Sequence, residues 1–205
     1  MASERRGRTV TLWSMLVALV VSSCASTITH KFEHRPVDSY VGQQPMRGRI
    51  GLLLTSEFQN FVYEGVLYGH MRRYPMGTAL VQNAELLGRS LFPDLIVIHG
   101  DKVPNDTALV AVLVPKFAAN IPPKHWGWEE TVTTVSLEWT LRNHDGQVMW
   151  ATTVDGEVRA AIGSRFSAAS NTGKYLGEAL TMAFRKSYEK IGTTEEVRSA
   201  TASSR

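Results

Sequence analysis

The chain of 205 residues has a single cysteine, Cys24. One thiol closes no intramolecular disulfide, and a cysteine-rich zinc site is excluded with it. No apolar run reaches the roughly 20 residues that a spanning helix needs. The common enzyme signatures are missing too: G-x-S-x-G, H-E-x-x-H, the P-loop and G-x-G-x-x-G find no match. Six histidines are scattered without ligand spacing. His30 and His34 lie four apart, but no helical pattern surrounds them and no third ligand is near, so they read as solvated. Glu129 and Glu130 are adjacent and would point to opposite faces of a strand, which prevents them from acting as a carboxylate pair. One Ser-x-x-Lys, Ser187 to Lys190, falls near the end of an amphipathic segment without a partner motif. Ser187 reads there as a small residue on a packed face. No catalytic residue, metal or other cofactor is implied.

Charge of one sign is also missing. The chain carries 22 basic and 19 acidic side chains. Three arginines and one glutamate of these precede Thr9, so the chain from Cys24 onward is nearly neutral. The clustered basic footprint that nucleic-acid binding needs is absent. At 43% hydrophobic and 20% charged residues, the composition is that of a folded domain rather than a disordered chain. The length suits one domain with tails.

What is present begins at the N-terminus. Arg5, Arg6 and Arg8 precede the apolar stretch Val10 to Val21, which is followed by Ser22, Ser23 and Cys24. A basic start, an apolar run of about a dozen residues and small residues after it make a secretory signal peptide. As a helix the run would span about 18 Å, short of the ~30 Å hydrocarbon layer. Val21-Ser22-Ser23-Cys24 resembles a bacterial lipobox. That resemblance implies acylation of Cys24, cleavage before it and anchoring in a membrane. Ala25 and Ser26 follow, and the lack of Asp there implies the periplasmic face of the outer membrane. Acyl chains on one cysteine hold a protein on a bilayer, because each buried CH₂ contributes about 0.8 kcal/mol.

Residues 25–46 show no sustained periodicity and read as a flexible tether with an r.m.s. span of about 25 Å. Ile50 to Leu54 is an apolar run that predicts a buried strand, and Phe58 to Leu67 a second one. Leu80, Ala84, Leu87 and Leu91 recur at helical spacing. They predict a helix over 78–92 with Thr78 as N-cap and Pro93 as its stop. Strands are expected over 94–98 and 108–114, the latter ending at Pro115. The clearest pattern spans 132–158. Val135, Leu137, Trp139 and Leu141 alternate with polar residues, Asn143 to Gly146 form a turn, and Val148, Trp150, Thr152 and Val154 alternate again. This predicts a long hairpin with one buried face. If residue 142 pairs with 147, Trp139 faces Trp150; another loop length puts the rings on a diagonal of the same face. Residues 164–173 read as a loop. Leu176, Ala179, Leu180, Ala183, Ser187 and Ile191 predict a second helix over 172–191, and 193–205 a frayed tail.

The expected architecture is α+β, a mixed or antiparallel sheet of about five strands with two helices packed on one face. The expected organisation is a signal peptide over 1–23, a lipid-anchored tether over 24–47, one domain over 48–191 and a disordered tail over 192–205. Two stretches nominate a surface for partners. His125, Trp126 and Trp128 lie in a proline- and glycine-bounded loop, and loops run on the surface; the other reading is that one or both tryptophan rings fold back to cap the sheet edge. The second stretch is Tyr68, Met71, Arg72, Arg73 and Tyr74, basic and aromatic, which reads equally as a loop lying against anionic headgroups or as a solvated turn.

The lipobox, the short strand Ile50 to Leu54, the helix Gly77 to Leu91 leading through Phe92 into strand 94–98, the meander and the last helix together resemble small bacterial envelope lipoproteins. The YajG-like group, and relatives of the N-terminal domain of TolB, share this order over about residues 48–191. The resemblance implies an accessory or assembly factor that docks on other envelope proteins. Two other readings stay open: an accessory of a lipid or polysaccharide export system with an apolar groove, and a periplasmic hydrolase with a site assembled from scattered residues.

Overall fold

The computed structural model describes residues 27–32, 34, 36–37, 40–67, 70–104, 111–121, 130–161 and 165–202. Two sheets are built from strands β1 (Thr27–Thr29), β2 (Ile50–Leu54), β3 (Val62–Leu67), β4 (His70–Pro75), β5 (Leu95–His99), β6 (Ala111–Asn120), β7 (Glu130–Asn143) and β8 (Val148–Ala161). The helices are α1 (Ser56–Gln59), α2 (Gly77–Leu91), α3 (Arg165–Thr193) and α4 (Glu195–Ala202). The large sheet runs β5-β2-β6-β7-β8 and the small one β1-β4-β3. Both are mixed: β2 is parallel to β5 and β6, and β1 to β4, while the remaining pairs are antiparallel. The α+β class and the five-stranded sheet agree with the sequence reading.

The main core lies between the large sheet and helices α2 and α3. Leu52, Leu54, Leu113, Leu137 and Trp139 from the strands meet Leu80, Leu87, Leu180 and Phe184 from the helices, all fully buried. At Gly156 strand β8 comes so close to α3 that a Cβ would collide with the Ala179 carbonyl oxygen and the Ala183 nitrogen. Leu53, Ile98, Val112 and Val114 point to the other face and form a smaller apolar cluster. This alternation is the period-2 rule at work in strands whose two faces are both covered.

The hairpin has the expected face but a different register. Trp139 opposes Thr152 and Leu141 opposes Trp150. An irregularity after Leu141 lets Arg142 pair with Val148, leaving Met149 as the extra residue. The tryptophans therefore sit diagonally, and Val148 is exposed rather than packed.

Several boundaries differ for physical reasons. Strand β6 runs on through Pro115, because β2 pairs only with Ala111 to Leu113 and leaves a free edge beyond. Thr78 is not the cap of α2. That place is taken by Met76, whose N–H and that of Gly77 both donate to the Phe61 carbonyl. The expected loop 164–173 belongs to α3 from Arg165 onward. The expected tail carries α4, which packs through Val197, Ala200 and Thr201.

The expected tether is the largest correction. Thr27–Thr29 pair with Met71 to Arg73. Val37 and Met46 are buried. The Val37 N–H donates to Asn83 Oδ1 at 3.2 Å, and the Tyr40 ring packs on Tyr188 with centroids 4.8 Å apart. Chain that looked featureless is held by a few separated anchors. Among the described residues no helix is long and apolar enough to cross a membrane.

Candidate functional site

The small sheet carries the second nominated patch. Its strands alternate, so Arg72 and Tyr74 share one face with Ile28, His30 and Tyr63, while Met71 and Arg73 share the other with Thr27, Thr29, Glu64 and Val66. The first face turns inward. Tyr74 is fully buried rather than exposed, which corrects its place in a surface patch. It is hydrogen-bonded to Thr172 of α3, and burial raises its phenol pKa above the ordinary value. The His30 ring stacks on Tyr74 with centroids 5.1 Å apart and planes 13° from parallel. Arg72 donates an N–H to His30 Nε2 at 2.8 Å. Burial, then the charge of Arg72, lowers the His30 pKa, so the ring is neutral and can accept that bond. The second nitrogen of the fork, Arg72 Nε, is buried with no partner.

Arg72, Tyr63, Gly65, Val66, Tyr74, Ile121 and Thr172 line a crevice of 20 Å³. That is room for about one water, far below the several hundred cubic ångströms an organic ligand takes. Ile121, the residue after β6, reaches the crevice beside Arg72 and Tyr74; in sequence His125, Trp126 and Trp128 follow it within seven residues. Those three residues, like Tyr68 and Cys24, lie outside the described residues.

The second face is exposed. Arg73 Nε lies 2.7 Å from Glu64 Oε1. Val66 is 63% exposed and pairs with half-buried Met71, next to the turn.

His30 and His34 are drawn apart rather than together. Asn83 donates to His34 Nε2 at 2.8 Å and to the Ala79 carbonyl at 2.7 Å. Burial is the main cause that lowers the His34 pKa. Ser187 is fully buried; its hydroxyl accepts the Trp139 indole N–H at 2.9 Å and donates to the Ala183 carbonyl at 2.7 Å. A hydroxyl so engaged is no nucleophile. Among the described residues no group of three or more His, Cys, Asp or Glu side chains is placed to hold a metal.

Larger cavities lie elsewhere. One of 390 Å³ opens on the face away from the helices, floored by Leu53, Val112 and Val114 and walled by Arg142 and His144. One of 580 Å³ follows the edge of β8 beside Lys186 and Lys190.

Sequence reasoning missed His30, Tyr63, Ile121 and Thr172. The signal for the first was slight: His30 prolongs the Thr27–Thr29 alternation by one residue.

No protein-family model matches the chain, and no curated protein matches its sequence. Solved structures do match. A Xanthomonas campestris protein of the DUF330 family is 10% identical over 79% of this chain and 95% of that one, with a TM-score of 0.50. A Helicobacter pylori homolog of the neuraminyllactose-binding hemagglutinin is 12% identical over 85% and 99%, with a TM-score of 0.46. A minor lipoprotein of Acinetobacter baumannii is 8% identical over 76% and 94%, with a TM-score of 0.42. At 10% identity the likeness to the Xanthomonas campestris protein is one of fold.

Proposed function

We propose that this chain is a lipid-anchored module of the bacterial envelope, on the periplasmic face of the outer membrane, that performs no catalysis and docks on other envelope proteins. The observation that carries the reading is the place of Ile121, which lines one crevice with Arg72 and Tyr74 and precedes His125, Trp126 and Trp128 by four to seven residues in sequence. Two further features support it. Cys24 closes the apolar N-terminal segment. The space between the large sheet and its helices is filled by fully buried side chains, which speaks against a groove for lipid between them.

The test is Trp126→Ala, followed by a thermal melt and a crosslinking pull-down on the same variant. A surface truncation moves stability within about 0.5 kcal/mol. Loss of an aromatic anchor costs about 2 kcal/mol of binding or more, roughly a thirtyfold loss of affinity. Unchanged melting with partner recovery lost is the expected result. A variant that melts normally and recovers every partner removes this segment from the interface.

A further inference from the structure

The place of β1 decides how the module would sit on a membrane. Only Ala25 and Ser26 separate Cys24 from Thr27, the first residue of β1. Three extended residues span at most about 11 Å. Thr27 pairs with Met71, one residue past the start of β4, and paired strands lie about 5 Å apart. Acyl chains on Cys24 would thus enter the bilayer within about 15 Å of the β3–β4 turn. Because β1 is parallel to β4, the chain enters β1 at the turn end of the hairpin and not at the end joined to the core. The 22-residue tether expected from sequence would have left the orientation free; a strand fixed three residues after the anchor does not.

The side chains at that end suit a lipid surface. Val66 is exposed and Met71 half-buried beside it, on the outward face of the small sheet. Thr27 stands beside Met71 in the same row, and behind them on the same face stand Thr29 and Arg73, with Glu64 paired to Arg73. His70 is exposed next to the turn. Apolar residues foremost with cationic and hydroxyl groups set back is the order met on going from acyl chains to phosphates.

We propose that the outward face of the β3–β4 hairpin around Val66 and Met71 is a membrane-contact surface, with Val66 and Met71 at the acyl boundary and Arg73 at the level of the lipid phosphates. The inference rests on the reading of Cys24 as the acylated residue. It places the β7–β8 turn on the far side of the molecule: Asn143 pairs with Ala111 and Thr134 with Asn120, the two ends of β6, and that ten-residue strand is about 30 Å long.

The experiment uses the fact that an acylated Cys24 leaves no free thiol. Val66→Cys and, separately, Val148→Cys are made in the full chain, and the lipidated protein is reconstituted into vesicles of phosphatidylethanolamine and phosphatidylglycerol. Both positions are exposed on the protein itself. A membrane-impermeant maleimide should label Cys at position 66 at least about tenfold more slowly than at 148 in vesicles, and at an equal rate after detergent is added. Equal rates in vesicles on a chain that carries palmitate overturn the proposal and leave the anchor standing. Slow labelling at 66 in detergent also overturns it, since protein rather than lipid would then cover the site. A wild-type chain that takes up no palmitate overturns the anchor and this inference together.

Discussion

The indole N–H of Trp139 ends on Ser187 Oγ, 2.9 Å away, across the interface of sheet and helix. Both residues are fully buried. The hydroxyl in turn donates its O–H to the Ala183 carbonyl, so each polar atom in the chain of bonds has a partner inside the core.

Ser187→Ala should therefore cost more than its size suggests. The packing change is one oxygen, but the indole N–H is left buried without an acceptor, a loss of about 1–3 kcal/mol. For a chain of this length that lowers Tm by roughly 2–4 °C for each kcal/mol. Trp139→Ala should cost about 3–5 kcal/mol through the cavity it leaves. Trp150 is only half-buried, and Trp150→Ala should cost less. Chemical denaturation of the three variants checks the order, and a Ser187→Ala melt identical to wild type would refute the chain of bonds.

Two glycines should respond in opposite directions. Gly156→Ala drives a methyl group into the backbone of α3 at Ala179 and Ala183, and helix and sheet must separate. Overpacking of this kind costs about 1–3 kcal/mol. Gly173 lies within α3, and a Cβ there would meet the Tyr74 ring at 3.4 Å, an ordinary contact. Gly173→Ala should stabilise by up to about 1 kcal/mol through helix propensity. A Gly156→Ala variant that melts at or above wild type would contradict the close approach at Gly156, and a destabilised Gly173→Ala would contradict the room beside Tyr74.

Acid should loosen the N-terminal segment first. The folded pKa of His34 lies below its ordinary value of 6.5, chiefly because of burial. As pH falls through 6.5, the unfolded chain takes up a proton that the folded chain refuses, so stability drops until the folded pKa is reached. Protonation at Nε2 would also set two donors against each other, because the Asn83 amide already donates there. His30 adds a contribution of the same sign. Wild type should lose more Tm between pH 7 and pH 5 than His34→Gln does, and parallel curves would exclude His34 from the effect.

Cys24→Ala should abolish incorporation of labelled palmitate and release the protein from the membrane fraction. Unchanged size and fractionation would disprove the anchor.

How much of this was legible from residues alone depended on the length of each pattern. The 14-residue strands of the hairpin offered seven alternations each, so the buried face of Trp139 was readable. The bulge at Met149 was not, since nothing in an alternating pattern marks one extra residue. The helix pattern from Leu176 to Ile191 was equally plain. The small sheet was not readable: β1 has three residues, and β4 hides one buried ring, Tyr74, among two arginines and a histidine. Val37 and Met46 are single anchors with no neighbours in a period; Val37 is held by a side-chain amide from Asn83, 46 residues away, and Tyr40 between them by the ring of Tyr188. Helix α4 did leave a trace in Val197, Ala200 and Thr201, at helical spacing, but in eight residues without a strong apolar face. For Tyr74 the pattern misled, because a tyrosine among charged residues looks exposed until the opposite strand is known.

The position of β2 at the heart of the large sheet has a consequence for folding. All five of its residues are buried, and its parallel neighbours β5 and β6 begin 45 and 61 positions later, at Leu95 and Ala111. Parallel pairing across such separations is slow, because the loop must close before any contact rewards it. The β7–β8 hairpin is local and can form within microseconds. During synthesis the apolar segment Ile50 to Leu54 is made long before either partner: it has none until β5 is made, and its other edge stays open until β6 is complete. That interval, rather than any weakness of the finished core, is when this chain is most exposed to aggregation.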